Sequence, residues 1–373
     1  MLIVHIADIT MFYAPASGGV RTYLDAKHRR LDAIPEVRHS LLVPGASAGH
    51  TDGVYQVPAP PLPFGNGYRF PVRLAPWCNE LRRLQPDLIE VGDPYLTAWA
   101  ALEARRKLDV PVIGFYHSDL PLLVSNRMGN WFTPNVEAYV SKLYGNFDRV
   151  LAPSQVMADK LRRLGVRAVH VQRLGVDLAL FNPEQRDPGL RAELGIPENR
   201  HLLVFAGRGS REKNLPVLIE CMRTLGPNYH LLLVGSNMPL STADNVSVID
   251  HFCPPAQVAR ILASADLLVH AGDQETFGLV ILEAMASATP VVAVRAGAFG
   301  EIVPPDCGRL CPPNDAQAMA DAVRETFEAG VQQLGAQARQ HVERHYSWDN
   351  VVNGLLSHYQ AVLGTSPLAR AHG

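Results

Sequence analysis

Short apolar runs recur along the chain, each followed by a loop and then by a stretch with helical spacing. In the first half, residues 2–6, 39–43, 87–91, 110–116 and 149–153 read as buried strands. In the second half the same reading falls on residues 201–206, 229–234, 246–250, 265–270 and 291–294. These runs are apolar without strict alternation, which suits strands covered on both faces by crossover helices. Helices are predicted over 21–31, from Phe70-Pro71-Val72-Arg73 through Arg83, and over 94–108, 154–165, 256–264, about 277–287, 314–328, 331–345 and 348–363. Ser154 is the expected N-cap of the fourth of these. Two strand–helix series in 373 residues imply two α/β domains with mostly parallel sheets. The expected boundaries are 1–172 for the first, 173–345 for the second, and 346–373 for a last helix and a frayed tail, with a Pro-bearing linker over 183–200.

Composition narrows the class. Hydrophobic residues make up 47% and charged residues 19%, as in ordinary globular proteins. No apolar run approaches the ~20 residues that span a bilayer, and no basic region precedes the first strand, so a cytoplasmic protein is expected. The five cysteines (Cys78, Cys221, Cys253, Cys307, Cys311) are scattered without a histidine cluster, which points to reduced thiols rather than zinc. The net charge of −2 divides into +4 over residues 1–170 and −6 over the remainder. A basic first half suits an anionic partner such as a membrane surface, although an asymmetry of this size also arises without a partner. Residues 122–144 interleave Leu122, Leu123, Val124, Met128, Trp131, Phe132, Tyr139 and Tyr144 with Arg127 and Lys142. Arg69, Phe70, Arg73, Trp77, Arg82 and Arg83 form a similar cluster. Both clusters fit an interfacial surface and equally a helix packed on its own domain.

Candidate chemistry gathers after the strand at 265–270. Glu275 lies in the loop at that strand's carboxyl end, where open α/β sheets bind ligands. Glu283 follows two helical turns later. Between them the helix start offers N–H groups from Phe277, Gly278 and Leu279, a site for phosphate. Two carboxylates flanking an anion site suit a nucleotide-sugar, with phosphates in the middle and hydroxyls at both ends. After the strand at 201–206 comes Gly207-Arg208-Gly209-Ser210-Arg211-Glu212-Lys213-Asn214. Glu212 stands where the dinucleotide fingerprint needs its third glycine, which argues against a nicotinamide cofactor. Gly18-Gly19 between the first strand and helix allows close ligand approach, or is a plain tight turn. His117 ends a strand, followed by Ser118 and Asp119, and Asp119 before Leu120-Pro121 also suits turn initiation.

Glu275 and Glu283, with Phe277-Gly278-Leu279, Glu283-Ala284-Met285-Ala286 and the strand Pro290-Val291-Val292, resemble the signature of family 4 retaining glycosyltransferases. The resemblance is strong over about 174–328 and looser before that. It implies the GT-B fold, two Rossmann-like α/β domains facing each other across a cleft, with the last helix returning to the first domain. Arg208 and Lys213 match the family's Gly-Arg…Lys-Asn pattern and would hold the diphosphate. Glu283 would bind the ribose, Glu275 the sugar, and the loop at Phe252 would lie against the base. Gly18 and Gly19 would flank the donor phosphates, His117 would approach the transferred sugar, and Asp119 would serve the acceptor side. Ala288 and the Ala296-Gly297-Ala298 turn depart from family glycines.

Met11-Phe12-Tyr13-Ala14-Pro15 and Tyr116-His117-Ser118-Asp119-Leu120-Pro121 resemble bacterial diacylglycerol glycosyltransferases. The resemblance thus implies hexose transfer from a UDP-sugar such as UDP-glucose to a lipid, at the inner face of the plasma membrane. No metal or other cofactor is expected, and no nucleic acid. The alternatives are a mannosyl or other transferase acting on a different lipid or polysaccharide precursor, a nicotinamide oxidoreductase, and a non-catalytic nucleotide-binding protein.

Overall fold

The computed structural model describes residues 3–14, 18–63, 67–239 and 243–364. Its contacts form two units, Met1–Arg173 with Asp349–Gly373, and Leu174–Trp348. Pro15 and the tail expected over 365–373 lie outside the described residues.

Unit 1 begins with β1 (Val4–Ile9) and α1 (Gly19–Asp32), then β2 (Val37–Gly45), β3 (Gly49–Thr51) and β4 (Val54–Pro58). It continues through α2 (Leu74–Leu84), β5 (Leu88–Val91), α3 (Leu96–Leu108), β6 (Val112–Phe115), α4 (Leu120–Met128) and α5 (Thr133–Tyr144). β7 (Arg149–Ala152), α6 (Gln155–Arg163) and β8 (Val169–Val171) complete its sheet, whose order is β3-β4-β2-β1-β5-β6-β7-β8. All neighbours are parallel except β3 and β4. That edge hairpin is absent from the sequence reading. It turns at Asp52 (φ 45°) and Gly53 (φ 75°), the Asp-Gly pair that suits a two-residue hairpin with both central residues left-handed. β1 extends past the predicted 2–6 because polar Asp8 is paired inside the fold.

That pairing is a buried ionic cluster. Lys27 on α1 is fully buried and bonds Asp8 Oδ2 and Glu90 Oε1, each at 2.7 Å. His39 Nε2 stands 3.3 Å from Asp8 Oδ1, and His28 Nδ1 lies 2.7 Å from His39 Nδ1. The hydroxyl of Tyr359 donates to Glu90 Oε2 at 2.8 Å. Tyr359 lies on a helix far along the chain, within 349–373 of this unit.

Unit 2 opens with α7 (Leu190–Glu193), then β9 (His201–Ala206), α8 (Leu215–Leu225), β10 (Tyr229–Val234), β11 (Val246–Ile249), α9 (Pro255–Ser264) and β12 (Leu267–His270). α10 (Leu279–Ala286), β13 (Val291–Val294), α11 (Phe299–Ile302), β14 (Gly308–Cys311), α12 (Ala316–Ala329) and α13 (Val331–His345) follow. α14 (Trp348–Leu363) carries Tyr359. The sheet order β11-β10-β9-β12-β13-β14 is parallel throughout. Numbered within the unit this is 3-2-1-4-5-6, the doubly wound order, with its switch point between β9 and β12. One expectation changes here. Residues 183–200 are no free linker: Arg260 bonds Asp187 at 2.6 Å and Arg191 bonds Asp266 at 2.8 Å, pinning the segment to this unit.

Candidate functional site

At the switch point the chain leaves β9 and β12 in opposite directions, and their two loops carry the charged groups. The loop after β9 lies backbone to backbone on the loop after β10. A Cβ on Gly209 would stand 1.9 Å from the Asn237 carbonyl oxygen, and one on Gly235 1.8 Å from that of Gly207. Glycine is therefore required here by close approach. The loop exposes Arg208 and then closes in a 3-10 turn over Arg211–Lys213. Ser210 Oγ donates to Glu212 Oε1 at 2.6 Å, which draws Glu212 back into the loop. Lys213 Nζ reaches across to make a direct ion pair with Glu275 Oε1. Burial, reinforced by Arg208, pulls the Lys213 ammonium down to about 8, while Glu212 opposes the shift. Contact with the Glu275 carboxylate also favours the charged form.

A third group completes this contact. His270, the last residue of β12, is fully buried, with Phe205 and Phe299 ring centroids 5.4 and 4.9 Å away. Its Nδ1 accepts the Gly272 N–H at 3.1 Å, which assigns the ring proton to Nε2. Nε2 lies 3.7 Å from Glu275 Oε1, beyond hydrogen-bond range. Burial first, then Lys213, holds its pKa well below the usual histidine value, so the ring is neutral. Gly272 fits because a Cβ there would come within 2.7 Å of His270 Cε1. Gly297 (φ 53°) does the same for Glu275, whose carbonyl oxygen would lie 2.2 Å from an added Cβ.

The helix after Glu275 begins at Leu279, not at Phe277. Gly278 turns the chain at φ 90°, a left-handed conformation outside the helix. This moves the helix start by two residues. Ile281 N–H already bonds the Gly278 carbonyl at 3.0 Å, so Leu279 and Val280 head the helix. Phe277 and Gly278 belong to the loop, and the Phe277 side chain is buried. Glu283 sits in a recess that leaves part of its surface open, yet burial pushes its carboxyl up to about 7. Ala288 ends the helix at φ 57°, so an alanine holds a conformation that favours glycine. Phe252 is 59% exposed in the loop before α9, beside buried Cys253.

Unit 1 holds the remaining candidates. His117, just past β6, is buried and stacks on Phe115 with ring centroids 4.1 Å apart and planes 2° from parallel. Burial, then the nearby Lys27, pulls it down to about 3 and leaves it neutral. Gly18 precedes α1 and a Cβ there would meet nothing within 4 Å, while Gly19 is the first residue of the helix. Asp119 is redirected by its contacts. Its Oδ1 caps α4 by accepting from Leu122 N–H at 3.3 Å and takes the Tyr116 hydroxyl at 3.2 Å, while Lys160 bonds Oδ2 at 2.5 Å. Asp119 is thus held by bonds within its own unit. Asp93, not singled out in the sequence, accepts from Met11 N–H at 2.6 Å and ties the loops at this unit's own switch point, after β1 and β5.

Two family models cover most of the chain. Glycosyl transferases group 1 matches residues 187–341 and Glycosyltransferase Family 4 matches 17–180. A GDP-mannose-dependent alpha-mannosyltransferase of Mycobacterium tuberculosis is 31% identical over 289 residues, covering 76% of this chain and 75% of that enzyme. The chain belongs to glycosyltransferase family 4. The sulfoquinovosyl transferase SQD2 of Arabidopsis thaliana is 29% identical over 309 residues, covering 77% of this chain and 59% of that enzyme. The chain therefore spans about three fifths of the plant relative's length. Among solved structures, sucrose-phosphate synthase of Thermosynechococcus elongatus aligns with a TM-score of 0.82 at 22% identity, over 97% of this chain and all of that one. The family 4 chain thus has the two-domain α/β architecture of GT-B glycosyltransferases. His270 escaped the sequence reading, although a histidine closing an apolar strand two residues before a glycine was the available signal.

Proposed function

We propose that the enzyme transfers a hexose, with retention of anomeric configuration, from a nucleotide diphosphate sugar to a membrane lipid acceptor such as diacylglycerol. The observation that carries this reading is the Lys213–Glu275 pair at the switch point of unit 2. A cation and a carboxylate that neutralise each other can both change partners when a diphosphate and a sugar arrive together. Arg208 and Lys213 then stabilise charge on the leaving diphosphate, helped by the N–H groups of Leu279 and Val280. Glu275 holds the sugar hydroxyls and Glu283 the ribose. His117 is carried over from the resemblance as the group that approaches the transferred sugar, and Gly18 and Gly19 as the pair beside the donor phosphates. The bond from the anomeric carbon to the phosphate oxygen breaks as the bond to the acceptor oxygen forms on the same face. The acceptor's hydroxyl proton passes to the departing phosphate oxygen. No metal is needed for these steps.

The lipid acceptor rests on the surface of unit 1. Leu123, Met128, Trp131 and Phe132 are exposed around Arg127, Trp131 by 85%. Phe70, Val72 and Leu74 are exposed beside Arg69 and Arg73. Exposed aromatics beside cations suit an anionic membrane interface. Among the described residues no helix is long and apolar enough to cross a membrane, which is compatible with peripheral attachment at the inner face. UDP-glucose or a related UDP-sugar is the first donor choice. GDP-mannose is the second, favoured by the name of the mycobacterial relative. The test is nucleotide release from UDP- and GDP-sugars in EDTA, with and without diacylglycerol vesicles. Release with one donor, dependent on vesicles and lost in Lys213→Ala, is expected. Release independent of vesicles removes the lipid acceptor, and a requirement for added divalent ions removes metal independence.

A further inference from the structure

We infer that His270 is the positioning residue for Glu275, donating its Nε2 proton to that carboxylate once the donor diphosphate has drawn Lys213 away. The inference rests on the reading that Glu275 holds the donor sugar.

Three observations support it. The His270 ring is fully buried, and its Nε2 has no hydrogen-bond partner among the described residues. A buried, unmade N–H bond is costly, so its retention at this spot needs a reason. The ring cannot turn to satisfy itself elsewhere, because Gly272 N–H holds Nδ1 and Phe205 and Phe299 pack beside it. Finally, the Glu275 oxygen that Lys213 already occupies lies 3.7 Å from Nε2. A shift of about 0.8 Å brings it to an ordinary hydrogen-bond length.

The exchange follows from the charges. Lys213 neutralises Glu275. A bound diphosphate competes for Lys213 with more than one negative charge, and Glu275, which is mostly buried, loses its cation. The His270 N–H then keeps the carboxylate ionised and aimed at the sugar. Because the ring stays neutral, it supplies a donor without supplying a charge that would pull the diphosphate out of register.

Two substitutions separate this role from a purely structural one. His270→Gln keeps a donor near the Nε2 position and loses the acceptor for Gly272. His270→Asn keeps that acceptor and loses the donor. Both are compared with the unaltered enzyme and with Glu275→Gln, using UDP-glucose and GDP-mannose with diacylglycerol vesicles. Binding of free UDP and GDP is measured alongside. The expected result is inactive Glu275→Gln, and a kcat for His270→Asn about 10- to 100-fold below that of His270→Gln, with UDP or GDP affinity unchanged. The acid limb of the pH–rate profile should also move to higher pH in His270→Asn, since a carboxylate that loses a donor is more easily protonated. The other titratable groups there are Lys213, flanked by Arg208 and Glu212, and Asp273 in the same loop. None of these is altered.

An active His270→Asn beside a dead His270→Gln, or equal activity in the two, overturns the inference while leaving the transfer reading intact. An active Glu275→Gln overturns both. If neither histidine variant folds, nitrogen NMR of the imidazoles in the unaltered protein decides. The Nε2–H tautomer, with its resonance shifting on addition of UDP or GDP, is expected. A proton on Nδ1, or an Nε2 resonance that neither nucleotide moves, overturns the inference.

Discussion

Each unit buries a lysine against carboxylates, and the two clusters are built to opposite ends. In unit 1, Lys27 has two carboxylates at 2.7 Å, the Tyr359 hydroxyl bonds the second oxygen of Glu90, and His39 Nε2 stands 3.3 Å from Asp8 Oδ1. In unit 2, Lys213 has one carboxylate, both side chains remain 17–18% exposed, and the adjacent His270 N–H is unused. Burial pulls on both lysines. In unit 1 the carboxylates Asp8 and Glu90 outweigh it and raise Lys27, whereas Lys213 falls to about 8. A closed cluster of charges holds a fold together, because any change of partner strands a buried ion. An open one can exchange partners at small cost, which is what binding a charged ligand requires.

The comparison breaks most easily at Lys27. Lys27→Met leaves Asp8 and Glu90 without their cation and should destabilise unit 1 by about 3–5 kcal/mol. Hydrogen exchange at the β1 and β5 amides measures it, and protection equal to that of the unaltered protein would show the cluster to be dispensable. Lys213→Ala should do the reverse. Transfer should fall by about 100- to 1000-fold, with a melting temperature close to that of the parent in calorimetry. A variant that melts early and binds nucleotide normally would place Lys213 with the structural lysines. Tyr359→Phe removes one donor from Glu90 and should cost roughly 1.5 kcal/mol in unit 1, read from the same amides, with nucleotide affinity untouched. The smallest effect belongs to Glu283. Its carboxyl, raised to about 7 by burial, favours the protonated form in the folded protein. Its stabilising effect is therefore full below the ordinary glutamate range and is lost as pH rises through about 7. Ribose hydroxyls prefer the ionised form, so nucleotide affinity should rise several-fold across that pH range in calorimetric titrations. A Glu283→Gln variant should show a flat profile.

The sequence was most informative where function and neighbourhood coincide along the chain. Lys213 and Glu275 stand in loops directly after apolar strands, and their motifs are contiguous. That they touch was not legible, since 62 residues separate them and the contact depends on β9 and β12 lying side by side. His270 looked like one more residue of a buried strand. Its meaning comes from ring packing against Phe205 and from the Gly272 N–H. The start of α10 was misplaced by two residues because a glycine at φ 90° breaks the helix without breaking the apolar pattern. Lys27 was hidden for a related reason: a charged residue within a helix reads as solvated until its two carboxylates are known. Strand β8, three residues long with His170 exposed at its centre, carried too little apolar signal to separate it from a connection.

Tyr359 reaches Glu90 across a sequence separation of 269 residues. Unit 2 is one continuous stretch of chain and can close as soon as it leaves the ribosome. Unit 1 must wait, with a buried carboxylate one donor short, until residue 359 has been made. At ordinary synthesis rates the wait after residue 173 lasts roughly 10 to 40 seconds. During that interval all eight strands of the first unit exist, while the helix that brings Tyr359 to Glu90 does not.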